Sequence, residues 1–467
     1  MRKLILAAAS LACMGGVLLN AQSNKRGGIS TKMLSEIQSS YTYNTQDKAI
    51  RNALNGTDLN KLAVNADVEP IDGNFSIRVN SKGITNQFSS GRCWLFTGLN
   101  VMRAKVIAQY DMGAFEYSEV YPFFWDQLEK SNLFLQGIID TRDKKDNDQM
   151  VEWLFKNPLS DGGTFAGVAD IVGKYGLVPS EVMPETMSSK NTGPMAKIII
   201  LKLREFGMEL RKQAANGASQ AKLIEDKTEM LSSIYKILAL NLGNPPTEFS
   251  WDRKNAKGEV VATEEHTPKS FLAKYGDEYL IDNYVMLMND PSREYYQTYE
   301  IDYDRHQYDG TNWTYINLPV EDIKEMAITS LKDSTMMYFS CDVGKFLDSE
   351  RGVLDINNYD YASLFDMSFT MDKKDRVKSF ASGSSHAMTL MAVNLDDKGN
   401  TNKWMVENSW GANHGHNGHL IMTDEWFNEY MFRLVVEKKY VPAKVMKLLN
   451  KKPIRLPAWD PMFMHEK

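Results

Sequence analysis

Cysteine is scarce in this chain of 467 residues: three in all, Cys13, Cys93 and Cys341. So few exclude a disulfide-stapled scaffold. An excess of one charge is missing too. The net charge of −6 and a pI near 5.8 exclude a protein that holds nucleic acid by bulk electrostatic attraction. No internal repeat or low-complexity tract stands out, which excludes solenoids and propellers. Long apolar runs are confined to the N-terminus. There Arg2 and Lys3 precede the apolar stretch Leu4 to Leu19, and Asn20-Ala21-Gln22 offers a small-residue cleavage site. This is the pattern of a cleaved secretory signal, residues 1–21, and it predicts a periplasmic or secreted protein. The stretch is too short and too near the terminus for a membrane span, so no transmembrane segment is expected in the mature chain. Cys13 lies inside the apolar stretch, which continues past it, and this argues against lipid attachment there. Cleavage leaves Cys93 and Cys341.

What remains is ordinary globular composition, 43% hydrophobic and 24% charged, with length for two or three domains or one core with large insertions. One segment is not ordinary. Gln87-Phe88-Ser89-Ser90-Gly91-Arg92-Cys93-Trp94 sets a cysteine before a tryptophan at the start of an apolar helical pattern. A thiolate forms more readily in the positive field of a helix N-terminus. Gln87, six residues upstream, supplies a side-chain N–H for a developing oxyanion. Downstream, Ser384-Ser385-His386-Ala387 offers a base, and Asn408-Ser409-Trp410-Gly411 offers an amide with an indole behind it. His386 would take the thiol proton, Asn408 would fix the imidazole tautomer, and Trp410 would shield that hydrogen bond from water. Cys341 ends the apolar run Met336 to Cys341 and reads as a reduced core residue.

These strings resemble the papain-like cysteine peptidases. Thr85-Asn86-Gln87, Phe123-Phe124-Trp125-Asp126, Asp161-Gly162-Gly163, Cys341 to Lys345, Thr423 to Phe427 and Leu456 to Met462 resemble the bleomycin hydrolase / aminopeptidase C branch, from about Ser30 to Lys467. The resemblance implies an α+β, papain-like two-lobed fold, a helical lobe plus a β-barrel-like lobe, with a large helical insertion. His386 follows Cys93 by about 290 residues, roughly twice the spacing of papain-type enzymes, so added structure separates the two halves of the site. The expected organisation is 22–80 as an N-terminal extension of the mature enzyme and 81–193 as the helical lobe with the nucleophile. Residues 194–304 would be a helical insertion, 305–455 a β-rich lobe with His386 and Asn408, and 456–467 an arm in the cleft. The resemblance further implies peptide substrates, no cofactor, and a homo-oligomer, a hexamer, built through the insertion.

Gly162 and Gly163 are turn residues by composition; the resemblance makes them the place where substrate backbone pairs as an added strand. It also implies that the C-terminal arm brings the carboxylate of Lys467 to the α-amine of the substrate, which favours an aminopeptidase. The chain keeps Trp459-Asp460-Pro461-Met462 and departs from the pattern at Phe463 to Lys467. An endopeptidase or bifunctional peptidase is the alternative within the enzyme class, and an inactive peptide-binding scaffold the alternative outside it.

Periodicity predicts helices over Met33 to Asn55, from Trp94 onward, Tyr121 to Leu135, Thr164 to Tyr175, Pro194 to about Thr247, and Asp424 to Phe432. It predicts strands over Phe75 to Val79, Thr335 to Phe339, Ala387 to Asn394, Asn402 to Asn408 and Leu420 to Thr423. His414, His416 and His419 are close enough in sequence to suggest a metal. Their Gly-rich spacing matches no structural zinc pattern, so a structural loop and no metal site are expected.

Overall fold

The computed structural model describes residues 27–276 and 281–462. Two compact units emerge. The smaller comprises residues 27–64 with Asp360–Met367. Its predicted single helix is two helices, Thr31–Ser40 and Thr45–Leu54. The break falls where Asn44 turns extended and caps the second helix, its side chain accepting from Gln46 and Asp47 N–H while Asp47 returns the bond.

The larger unit, residues 65–359 and 368–462, carries every candidate site residue that is described. It is built on a mixed sheet, twelve-stranded among the described residues. At the sheet's centre Met337–Cys341 and Thr401–Glu407 flank His386–Leu395, both antiparallel to it. The register pairs His386 with Cys341 and Thr389 with Glu407, so His386 and Asn408 fall at the same end of the sheet. The His386 strand is apolar and buried through Val393, as a strand covered on both faces must be. One cover is the helix Cys93–Gln109. The sequence shows a stripe of Leu95, Leu99, Met102 and Val106, but every residue from Cys93 to Arg103 is buried. A helix that is apolar all round sits inside a protein, not on it.

The helix Val120–Asp140 packs beside the helix Phe165–Tyr175 and receives a pair, Gly193–Ala215 and Gln220–Leu242. Pro194 lies in the first turn of one and Ser219 caps the other. Met195, Ile199, Leu203, Phe206 and Leu210 form the buried seam of the first, at helical spacing. Beyond Leu242 the segment expected to be helical changes character. Phe249–Lys254 and Val260–His266 form a hairpin, and Tyr284–Met288 and Gln297–Ile301 join the large sheet. Residues 194–304 are thus helical mainly in their first half. The helix expected to reach Phe432 ends at Tyr430; Met431 is already extended and opens the strand Met431–Glu437, whose β-branched Val435 and Val436 favour that state. Among the described residues no helix is long and apolar enough to cross a membrane.

Candidate active site

Cys93 is the first residue of its helix, wholly buried, with its Sγ accepting the backbone N–H of Ala387 at 3.4 Å. That donor belongs to the residue after His386, so the strand that begins at His386 meets the thiol. His386 Nε2 lies 2.8 Å from Asn408 Oδ1. The same oxygen accepts Ser409 N–H at 2.8 Å, and two donors converging on it set the amide's orientation. An amide oxygen can only accept, so Nε2 is the protonated nitrogen of the neutral ring and Nδ1 is the nitrogen able to take up a proton. The Trp410 ring lies 5.0 Å from that of His386, tilted by 32°.

Gln87 joins the same group. Its backbone N–H donates to Ser409 O at 2.8 Å, its Oε1 accepts Ser409 Oγ–H at 2.7 Å, and its Nε2 donates to Ser90 O at 2.6 Å. Ser409 thus decides which end of the Gln87 amide carries the donors, leaving the second N–H of Nε2 for an oxyanion. Sequence reasoning quoted Ser409 without giving it this part; its position directly after Asn408 was the available signal. It also missed a buried ion pair: Arg103, on the Cys93 helix, bonds Glu407 at 2.7 Å, one residue before Asn408. The pair ties the helix of the thiol to the strand of the amide.

Gly162 and Gly163 lie beside Trp94, whose indole N–H donates to Asp161 O at 2.9 Å. A Cβ on Gly163 would stand 2.1 Å from His306 Cε1 and 2.7 Å from the Trp94 ring. Glycine here has a packing reason independent of any substrate. Gly162 O accepts from the buried ammonium of Lys130 at 2.7 Å.

His414, His416 and His419 close a tight turn. His416 N–H donates to His419 O at 2.8 Å, and Gly418 O accepts the N–H of Asn408 at 3.0 Å, so the turn supports Asn408 from behind. Burial and the neighbouring His419 hold His416 below the ordinary imidazole value. No cluster of three or more His, Cys, Asp or Glu side chains among the described residues is arranged to hold a metal.

The model of the Peptidase C1-like family matches residues 28–463. This chain belongs to that family. The C1-like peptidase is 38% identical to bleomycin hydrolase of Mus musculus over 82% of its own length and 86% of that protein's. It is 35% identical to aminopeptidase C of Streptococcus thermophilus, over 93% of this chain and 98% of the relative. It is also similar to the crystal structure of PepW from Lactobacillus rhamnosis HN001, with a TM-score of 0.90 and 35% identity, covering 94% of this chain and 99% of that one. The protein is a cysteine peptidase with the papain-like fold.

In this C1-like peptidase the arm after the strand Ile454–Leu456 lies along a cavity of about 510 Å³. Ala458 to Pro461 line it together with Ser382, Gly383 and Ser385, the residues leading into His386. Asp460 anchors the arm to Arg293 at 2.5 Å, and Arg433 donates to Met462 O at 2.8 Å. Lys467 and the signal segment 1–21 lie outside the described residues.

Proposed function

We propose that this cysteine peptidase is an exported aminopeptidase that removes residues from the N-termini of peptides through an acyl-enzyme. The observation that carries the mechanism is the meeting of Cys93 Sγ with Ala387 N–H while His386 holds Asn408 at 2.8 Å. His386 Nδ1 takes the proton of the Cys93 thiol, giving a thiolate–imidazolium pair that the helix N-terminus and Ala387 N–H favour. The thiolate attacks the scissile carbonyl. The oxyanion is held by Gln87 Nε2–H and the backbone N–H of Cys93. His386 returns its proton to the leaving amine as the C–N bond breaks, then deprotonates the water that opens the thioester. Asn408 keeps the ring in place, Trp410 covers their hydrogen bond, and Gly162 and Gly163 pair with substrate backbone.

The preference for N-termini is supported by the names of the relatives and by the arm, which lines a cavity together with Ser382, Gly383 and Ser385, the residues that precede His386 in the chain. Export is supported by the composition of residues 2–21. Assembly into a homo-oligomer is supported by Ile198, Leu201 and Met208, exposed along one side of the helix Gly193–Ala215.

Fluorogenic peptides with free and with blocked α-amines test the proposal. Free-amine substrates should be cleaved at least about thirtyfold faster, as expected when a charge pair in a cleft is lost. Removing residues 463–467 should narrow that ratio. Equal cleavage of blocked peptides by the intact chain overturns the aminopeptidase in favour of an endopeptidase.

A further inference from the structure

The backbone from Ser160 to Thr164 is gripped from within by three side chains that the chemistry above does not use. Lys130 Nζ donates to Ser160 O at 3.0 Å, Gly162 O at 2.7 Å and Asp126 Oδ2 at 2.8 Å. Asp126 Oδ1 lies 2.5 Å from His306 Nδ1, and His306 Nε2 accepts Thr164 N–H at 3.3 Å. An acceptor at Nε2 requires a neutral ring with its proton on Nδ1, facing the carboxylate. Trp94, next to the nucleophile, closes the cluster: its ring meets His306 edge-on, centroids 4.6 Å apart, and the Lys130 ammonium lies 5.2 Å from its ring centroid. Asp126 and His306 are fully buried and Lys130 nearly so.

Stability alone is a poor reason for this arrangement. Desolvating a carboxylate and an ammonium costs about as much as their attraction returns, and apolar replacements of equal volume often serve as well. What apolar side chains cannot do is fix the direction of the Ser160 and Gly162 carbonyls and the Thr164 amide. Those groups bracket Gly163. Three rigid bonds at known lengths set the height and tilt of the glycine pair relative to Cys93.

We propose that Lys130, Asp126 and His306 are positioning residues for substrate, holding the Gly162–Gly163 backbone where an incoming peptide pairs with it. The assignment rests on the peptidase mechanism above and on the role given there to the two glycines. It assigns the cluster to binding and leaves the reactivity of Cys93 to other residues.

The test separates the two. In the double variant Asp126→Asn with Lys130→Met no buried charge is left unpaired. Its KM for a free-amine fluorogenic tetrapeptide should rise about tenfold to a hundredfold, the loss expected for hydrogen bonds from a charged donor. The kcat, and the rate at which iodoacetamide alkylates Cys93, should stay within about threefold, because a small reagent needs no backbone pairing. His306→Gln keeps the Asp126–Lys130 pair and an acceptor for Thr164 N–H. It should show the same split to a lesser degree, and it carries the test if the double variant does not fold. An unmoved KM in both variants overturns the positioning role. So does alkylation that slows in step with kcat/KM, which would make the cluster a support of Cys93 itself. A wild-type protein that alkylates but turns over no peptide overturns the peptidase mechanism first, and this assignment with it.

Discussion

His386 and His306 are equally hidden from solvent, 2% and 0% exposed, and each bonds one ring nitrogen to a side-chain oxygen. They differ in what that oxygen belongs to. His386 has the neutral amide of Asn408, with a thiol on the next residue's N–H. His306 has the carboxylate of Asp126, already shared with Lys130, and spends its second nitrogen on a backbone amide. A neutral partner orients a ring without dictating its charge. A carboxylate beside an ammonium, in a dry site, pins both proton and position. The residue type is the same; the charge of the surroundings suits one ring to the proton transfer proposed for it and the other to the proposed part of a joint.

The comparison breaks most visibly through His386. His386→Ala should lower kcat by about 10⁴-fold or more with the fold intact, by analogy with triad bases elsewhere. Far-UV circular dichroism and turnover check the two halves of that statement. His306→Ala should leave measurable turnover. Near-wild-type rates in His386→Ala would remove the distinction between the rings altogether.

How much of this was legible depended on distance along the chain. Cys93, His386 and Asn408 stand in short strings whose order and neighbours single them out as candidates, and the fold brings those strings together. The helix pair at 193–242 announces itself by its seam. The cluster around His306 does not. Asp126 and Lys130 are an i,i+4 pair like many on solvated helices, and only burial against Trp94 makes them unusual. His306 meets them across about 180 residues of chain, a contact no local pattern encodes. The hairpin from Phe249 to His266 was hidden for a similar reason. Its inward side chains Phe249 and Trp251 pack on Phe271 and Tyr275 of the following helix, and His266, the cross-strand partner of Phe249, meets the same two rings.

Gly163→Ala probes the joint with a smaller effect. The added methyl would meet the His306 ring and Trp94, both fully buried and without room to retreat. Overpacking of that kind costs about 1–3 kcal/mol. A lower urea midpoint, partly restored by combining the change with His306→Ala, is the expected outcome. An unchanged midpoint would mean that His306 moves aside, and then it is no joint.

The smallest effect concerns protons. Burial lowers the affinity of His306 for a proton and Lys130 lowers it further, against the upward pull of Asp126, and the ring stays below its ordinary 6.5. Burial raises Asp126, but Lys130 and His306 outweigh it and hold the carboxyl below its usual range. In the unfolded chain His306 titrates normally. Below about pH 6.5 the unfolded state therefore binds a proton that the folded state refuses, and stability falls as pH falls until the depressed native value is reached. Asp126 adds a loss of the same sign at more acid pH, below 3.8. One proton contributes at most about 1.4 kcal/mol per pH unit. Urea midpoints at pH 7.5 and 5.5 should therefore fall less in His306→Gln than in the wild type. His416, also held low by burial and by His419, contributes equally to both proteins and cancels. Parallel declines would mean that the folded protein accepts the proton at His306. The ring would then lose its acceptor for Thr164 N–H and resemble His386 in being able to carry charge.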